Sequence, residues 1–219
     1  LISIANTTRN FTHLSDVISQ GKPLVMFDKI DKILECSKVV IDDRKAAKVA
    51  TQHLIDTGCK RIAHFRGPLL AQNSIDRFLG YKEALEENNF TYDSSLVYIC
   101  ECGDSSFEEG KFNAKKLIQD HDDIDGVFIN TDLVAIGALT VFTEMGIKVP
   151  DDISIVGFSN WFMASVISPS LTTINQPGFK MGKAAFKQLY KELNQRKKNS
   201  PIVYKKIILE TELVKRDST

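Results

Sequence analysis

Residues 126–159 read GVFINTDLVAIGALTVFTEMGIKVPDDISIVGFS. The apolar run Val127-Phe128-Ile129 is short enough to be a strand. The apolar stretch from Leu133 to Met145 is long enough to be a helix, and Gly146 stops it. Val149-Pro150-Asp151-Asp152 turns the chain, and Ile153 to Phe158 reads as a second strand. A strand, a helix and a strand in so few residues make a βαβ crossover, which requires two parallel strands. The polar triplet Asn130-Thr131-Asp132 falls where strand passes into helix. Asn130 or Thr131 can cap that helix, and Asp132 suits the positive end of its macrodipole. Open parallel sheets bind ligands at the carboxyl ends of their strands. The loops at 130–132 and 159–161 are therefore candidate binding loops.

Outward from this unit the alternation continues. Strands are expected at 1–5, 23–28, 38–43, 61–65, 96–100 and near 171–174. Helices are expected at 11–19, from about 44 to Gly58, from about Ser74, in the segment ending near Gln119, and at 181–194, where Phe186, Leu189, Tyr190 and Leu193 form the apolar face. Residues 202–214 read as one or two antiparallel strands and 215–219 as a polar tail. Alternating strands and helices define an α/β protein with mostly parallel sheets.

The 219 residues suffice for one large domain or two small ones, and 43% hydrophobic content provides a core. Lys and Arg balance Asp and Glu at 28 each, so the chain lacks the basic footprint of a nucleic-acid-binding domain. No apolar run approaches the roughly 20 residues that span a bilayer. Four cysteines, Cys36, Cys59, Cys100 and Cys102, are too sparse for a disulfide scaffold and fit reduced thiols in a cytoplasmic protein. Cys100-Glu101-Cys102 has no nearby partner set for a metal clip. The charge run Arg196-Lys197-Lys198, with Lys205-Lys206, reads as a solvated turn and a sheet edge blunted by lysine, with phosphate binding as the alternative.

Enzyme signatures are weak. Both glycine-rich phosphate cradles are missing. Gly157-Phe158-Ser159-Asn160-Trp161 approaches a nucleophile elbow, but Trp161 replaces the second glycine. All four histidines precede Ser159, against the order that such a triad needs. No catalytic constellation stands out, and no cofactor is implied.

Taken together, several segments resemble the effector-binding core of LacI/GalR-family transcription regulators: 23–28 (PLVMFD), 39–43 (VVIDD), 53–58 (HLIDTG), 77–81 (RFLGY), 135–139 (AIGAL), 146–158 (GIKVPDDISIVGF), 169–177 (PSLTTINQP) and 212–216 (ELVKR). They cover nearly the whole chain in order. The resemblance implies a two-lobed, periplasmic-binding-protein-like fold, each lobe a parallel sheet flanked by helices. The first lobe, expected to be incomplete, would comprise 1–59 and 177–200. The second would comprise 60–176 and 201–219, so the chain crosses between lobes three times. It further implies a homodimer, a sugar-like effector in the cleft, no membrane partner, and operator DNA bound only through a helix-turn-helix domain that these residues do not contain. A solute-binding protein for transport shares the two-lobe cleft and is the competing reading.

Carried over position by position, the implied ligand contacts are Asp42 and Asp43 from the first lobe, and Asn73, Arg77, Phe128, Thr131, Asp132, Ser159 and Gln176 from the second. The chemistry fits a polyol: a guanidinium fork donates, and carboxylates accept pairs of hydroxyls. Each also has a plainer role. Arg77 can pair with an acid across a helix start, Phe128 can be core, and Asp132 can cap its helix. On the ligand-binding reading, Arg77→Ala abolishes effector-induced stabilisation and leaves the fold intact. Ser159 stands where many members of the family carry Asp, so the charge expected there is missing.

Overall fold

The computed structural model describes residues 1–5, 8–101 and 107–219. In chain order the elements are α1 (Thr12–Ser19), β1 (Val25–Phe27), β2 (Ser37–Ile41), α2 (Asp43–Asp56), β3 (Ile62–Arg66), α3 (Gln72–Glu87), β4 (Val97–Ile99), α4 (Phe107–Asp120), β5 (Gly126–Ile129), α5 (Asp132–Glu144), β6 (Ser154–Ser159), β7 (Thr172–Asn175), α6 (Gly178–Lys197), β8 (Lys206–Leu209) and β9 (Glu212–Val214). The strands form two sheets. The smaller runs β1-β2-β8 and the larger β4-β3-β5-β6-β7-β9. All pairings are parallel except β7 with β9. Residues 1–5 contribute a single bridge, Ile2 to Met26, where a full strand was expected.

The βαβ unit at 126–159 forms as its sequence requires, with β5 and β6 adjacent and parallel. Its strands are apolar from Gly126 to Ile129 and from Ile155 to Phe158 because both faces are covered there. Val127, Ile129 and Ile155 point into the core shared with α4 and α5. Phe128, Val156 and Phe158 point the other way, into the core shared with α2 and α3. The period of two along a strand produces this division.

The lobe boundaries need correcting. Helix α2 was expected in the first lobe. Instead its stripe Ala46, Ala47, Ala50 and Leu54 is buried with Ile62, Tyr81, Phe128 and Val156 of the larger lobe. It lies so close to α3 that a Cβ on Gly80 would run into the carbonyl of Arg44. The first crossing is therefore at 41–43, not near 59. Nor does 201–219 lie wholly in the second lobe. β8 pairs in parallel with β2, placing Ile207 beside Val39 in the smaller sheet, and only β9 joins the larger one. Three crossings remain, at 41–43, 175–178 and 209–212.

Helix α6 packs on the smaller sheet, but with a different face from the one expected. Met181, Ala185, Gln188 and Glu192 are buried, while Phe186 and Tyr190 are exposed. Ser37 explains the exchange. Its hydroxyl donates to Glu192 at 2.5 Å and accepts from Gln188 at 3.2 Å, so polar side chains can be buried there.

The polar tail is not free. Ser218 is fully buried and donates through Oγ to the Ile155 carbonyl at 2.7 Å. Arg216 donates to the Leu171 carbonyl and to Asn160 Oδ1. These bonds tie the chain end to both ends of β6 and to the start of β7. Cys36 and Cys59 are buried free thiols, Cys100 is buried, and Cys102 lies outside the described residues. Among the described residues no helix is long and apolar enough to cross a membrane, and none of the groups of His, Cys, Asp and Glu could hold a metal ion.

Candidate functional site

The carboxyl ends of β1, β2, β3, β5, β6 and β7 meet where the chain passes between the two sheets. Two adjoining cavities lie there. One, of about 250 Å³, is walled by Asp28, Val40, Asp43, Asn73 and Asp76 among others. The other, of about 280 Å³, is walled by Phe27, Asp28, Ser159, Gln176, Gly178 and Met181. Asp28 belongs to both. A larger concavity of about 1030 Å³ lies between β4 and α4. That one lies along the edge strand β4 of the larger lobe, away from the passages between the two sheets. The crevice is the better candidate because it gathers convergent polar groups and strained backbone at the strand ends.

Arg77 organises its wall. Nε donates to Asp43 Oδ1 at 2.8 Å and Nη1 donates to the Asn130 carbonyl at 2.8 Å. The guanidinium carbon lies 3.6 Å from the centre of the Phe158 ring. A buried, planar cation thus joins the starts of α2 and α3 to the ends of β5 and β6. Burial raises the Asp43 carboxyl above its ordinary pKa, against the opposing pull of Arg77.

Asn73, in the first turn of α3, is only 3% exposed, and neither its Oδ1 nor its Nδ2 has a partner among the described residues. The neighbouring Ser74 hydroxyl is likewise buried without a partner among them. The N-cap of α3 is Ala71, which supplies no side-chain acceptor for the first-turn amides. Buried polar groups are normally satisfied, so a donor–acceptor pair left open at a cavity wall marks a place for a polar ligand.

Asp28 and Ser159 face the second cavity with backbone φ of 60° and 112°. Non-glycine residues in that region are strained, and such strain concentrates at ligand sites. Gln176 donates to Asp28 Oδ1 at 2.5 Å, a link from the larger lobe to the smaller one beside a crossing. Asp28 was not among the expected contacts. Its signal was present, a carboxylate at the end of an apolar strand.

The other expected residues sit differently. Phe128 is fully buried in the core, stacked on His64 with ring centres 4.7 Å apart. Asp132 is also fully buried, and protein donors occupy its oxygens: Thr173 Oγ1 at 2.6 Å, the Trp161 amide at 2.6 Å and Ser159 Oγ at 3.4 Å. Burial raises its pKa, and these hydrogen bonds oppose the rise. Gly157 lies so close that a Cβ there would strike the Asp132 carboxylate. Phe128 and Asp132 thus stand behind the crevice wall, and Asp132 holds the 159–161 loop. Thr131 is half-buried at the N-cap of α5. Asp42 is exposed and caps α2, accepting from the Lys45 amide at 3.0 Å. The structure therefore brings Asp43, Asn73, Arg77, Ser159 and Gln176 to the crevice and leaves Asp42 on the outside.

Comparisons with known proteins agree with this architecture. A family model described as a periplasmic binding protein-like domain matches residues 51–219. The ribose operon repressor of Halalkalibacterium halodurans is 33% identical over 213 residues, 97% of this chain and 61% of the relative. The transcription regulator CcpA of Lactococcus lactis superposes with a TM-score of 0.84 at 30% identity, across 96% of this chain and 74% of that one. A LacI family regulator from Enterococcus faecium, solved with bound ribose, gives a TM-score of 0.84 at 26% identity, across 98% and 77%. The chain spans about three-fifths of the length of the curated relatives it matches.

Proposed function

The chain belongs to the LacI-type regulators of the periplasmic-binding-protein-like family, and on that premise we propose that it is the effector-sensing core of a transcription regulator, most simply a repressor. A sugar-like molecule enters the crevice and contacts both lobes. It thereby favours one relative arrangement of the lobes over the other. In a cytoplasmic homodimer this change alters how DNA-reading domains, carried outside these residues, are presented to an operator. The chain itself does no chemistry on the ligand.

One observation carries the reading: the buried side-chain amide of Asn73, with no partner among the described residues for its donor or its acceptor atom, at the wall of the cavity of about 250 Å³. A sugar hydroxyl is both donor and acceptor and satisfies such a group. The cavity volumes lie near the lower end of the range for small-molecule sites, which favours a monosaccharide over an oligosaccharide. Ribose is the first probe, because a relative with this fold has been solved with ribose bound.

The test is thermal unfolding with and without a panel of pentoses and hexoses. At 100 times its Kd, a ligand stabilises the wild-type protein by about 2.7 kcal/mol. Asn73→Ala is expected to lose that response. Without ligand it should melt at the same temperature or higher, because an unsatisfied buried group has gone. An undiminished ligand response in Asn73→Ala would refute the assigned site.

A further inference from the structure

The cavity of about 250 Å³ carries more than the polyol-binding groups already described. Lys32, Lys38 and Lys206, all from the smaller lobe, line it opposite the start of α3. Lys38 and Lys206 are register partners on adjacent parallel strands, so their side chains leave the sheet on the same face. Like charges placed directly opposite each other destabilise a sheet. Lys38 is half-buried, and its ammonium is held at 2.9 Å from the Lys32 carbonyl. Among the described residues none of these lysines is in an ion pair.

The carboxylates nearby are each engaged by another group, and only Asp43 is paired with a cation, so Asp28 and Asp76 offset the lysines in part. Asp43 is bound to Arg77, Asp28 accepts from Gln176, and Asp76 accepts from Gln72 at 2.7 Å. With the Asp43–Arg77 pair balanced internally, three lysines face the two remaining carboxylates, Asp28 and Asp76, at this cavity. Blunting of a sheet edge accounts for Lys206 alone, since β8 is an edge strand. It does not account for Lys38 on the central strand. Nor does it account for the wall opposite, where an uncapped sixteen-residue helix and the open, 97% buried amide of Asn73 face the same space.

We infer that the effector is a phosphorylated monosaccharide. Its phosphate lies on Lys32, Lys38 and Lys206, and its hydroxyls lie on Asn73 and Asp28. This inference rests on the sensing function proposed above and adds the chemical class of the ligand. A phosphate monoester carries close to two negative charges and three acceptor oxygens near neutral pH, and lysine binds it as a point charge. Uncapped first-turn amides at a helix start add a positive partial charge of the same sense.

Calorimetric titration tests it, using D-ribose and D-glucose, their 5- and 6-phosphates, and inorganic phosphate, against the wild-type protein and the Lys38→Gln/Lys206→Gln double variant. At least one phosphate ester is expected to bind roughly ten-fold or more tightly than its parent sugar, with a margin that shrinks as salt rises. The double variant should erase the margin and leave the parent sugar's affinity within about two-fold, with an unchanged melting temperature confirming its fold. Parent sugars that bind as well as their esters, or a margin that survives in the double variant, would overturn the phosphate assignment and leave the sensing role standing. Inorganic phosphate binding as tightly as the esters would also overturn it, as an anion site indifferent to sugar. No binding by any compound, with Asn73→Ala silent across the sugar panel, would remove the sensing role and this inference with it.

Discussion

Arg77→Ala is expected to destabilise the protein by about 3–5 kcal/mol, the usual result of removing one partner from a buried ion pair. Both members are buried, and the bond between them is 2.8 Å. Without the guanidinium, Asp43 is left in a low-dielectric site with no cation, the Asn130 carbonyl loses a donor, and the Phe158 ring loses the cation stacked on it. The loss is a large part of the 5–15 kcal/mol by which a domain is ordinarily stable. Urea unfolding measures it directly. The double variant Asp43→Leu/Arg77→Met should recover part of the loss, because the stranded charge has gone as well. A loss below about 1 kcal/mol for Arg77→Ala would mean that the pair is solvated and that the wall is not built around it. The expectation from sequence, that this substitution spares the fold, is revised for this reason. Asn73 separates binding from folding where Arg77 cannot.

Acid should unfold the protein early, and His64 is the reason. Its ring is fully buried between Phe128 and Tyr81, with Nδ1 at 2.9 Å from the Phe128 carbonyl. Burial depresses its pKa to about 3, far below the ordinary histidine value. Between about pH 6.5 and 3 the unfolded chain binds a proton there and the folded chain does not, so stability falls as pH falls. The contribution is complete above pH 6.5 and is progressively lost down to the folded pKa. Each pH unit in that window costs about 1.4 kcal/mol, an upper bound of 4–5 kcal/mol over the whole range. His64→Gln has no titrating ring and can keep a donor toward the carbonyl. From pH 7.5 to 4.5 the wild-type protein should lose about 2–3 kcal/mol more than this variant in urea unfolding. Equal losses would show that His64 protonates freely in the folded state.

The parts of the fold legible in the sequence were those specified locally. Periodicity and length identify β5, α5 and β6, Gly146 closes the helix, and the resulting crossover leaves only a parallel pairing. The parts misread were non-local. The stripe of α2 would suit either sheet, and its close approach to α3 at Gly80 decides the matter. A short apolar segment such as 206–209 pairs as readily in parallel as in antiparallel fashion, and the partner of Ile207, Val39, lies some 170 residues away in sequence. The buried face of α6 depends on one hydroxyl, Ser37, which pattern analysis does not weigh. At the site, the polar residues at strand ends and helix starts were readable because their chemistry is conspicuous there. Phe128 and Asp132 have the same residue types as ligand contacts. Only packing against His64 and hydrogen bonds from Thr173 and Trp161 place them behind the wall.

Amide hydrogen exchange, with and without a saturating sugar or sugar phosphate from the binding panels, addresses the central claim most directly. Ligand held between the lobes should slow exchange together in four separated segments, 28–34, 72–77, 159–161 and 176–181, which meet only at the crevice. Protection confined to 94–101 and 107–121, around the large outer concavity, or protection limited to one lobe, would contradict it.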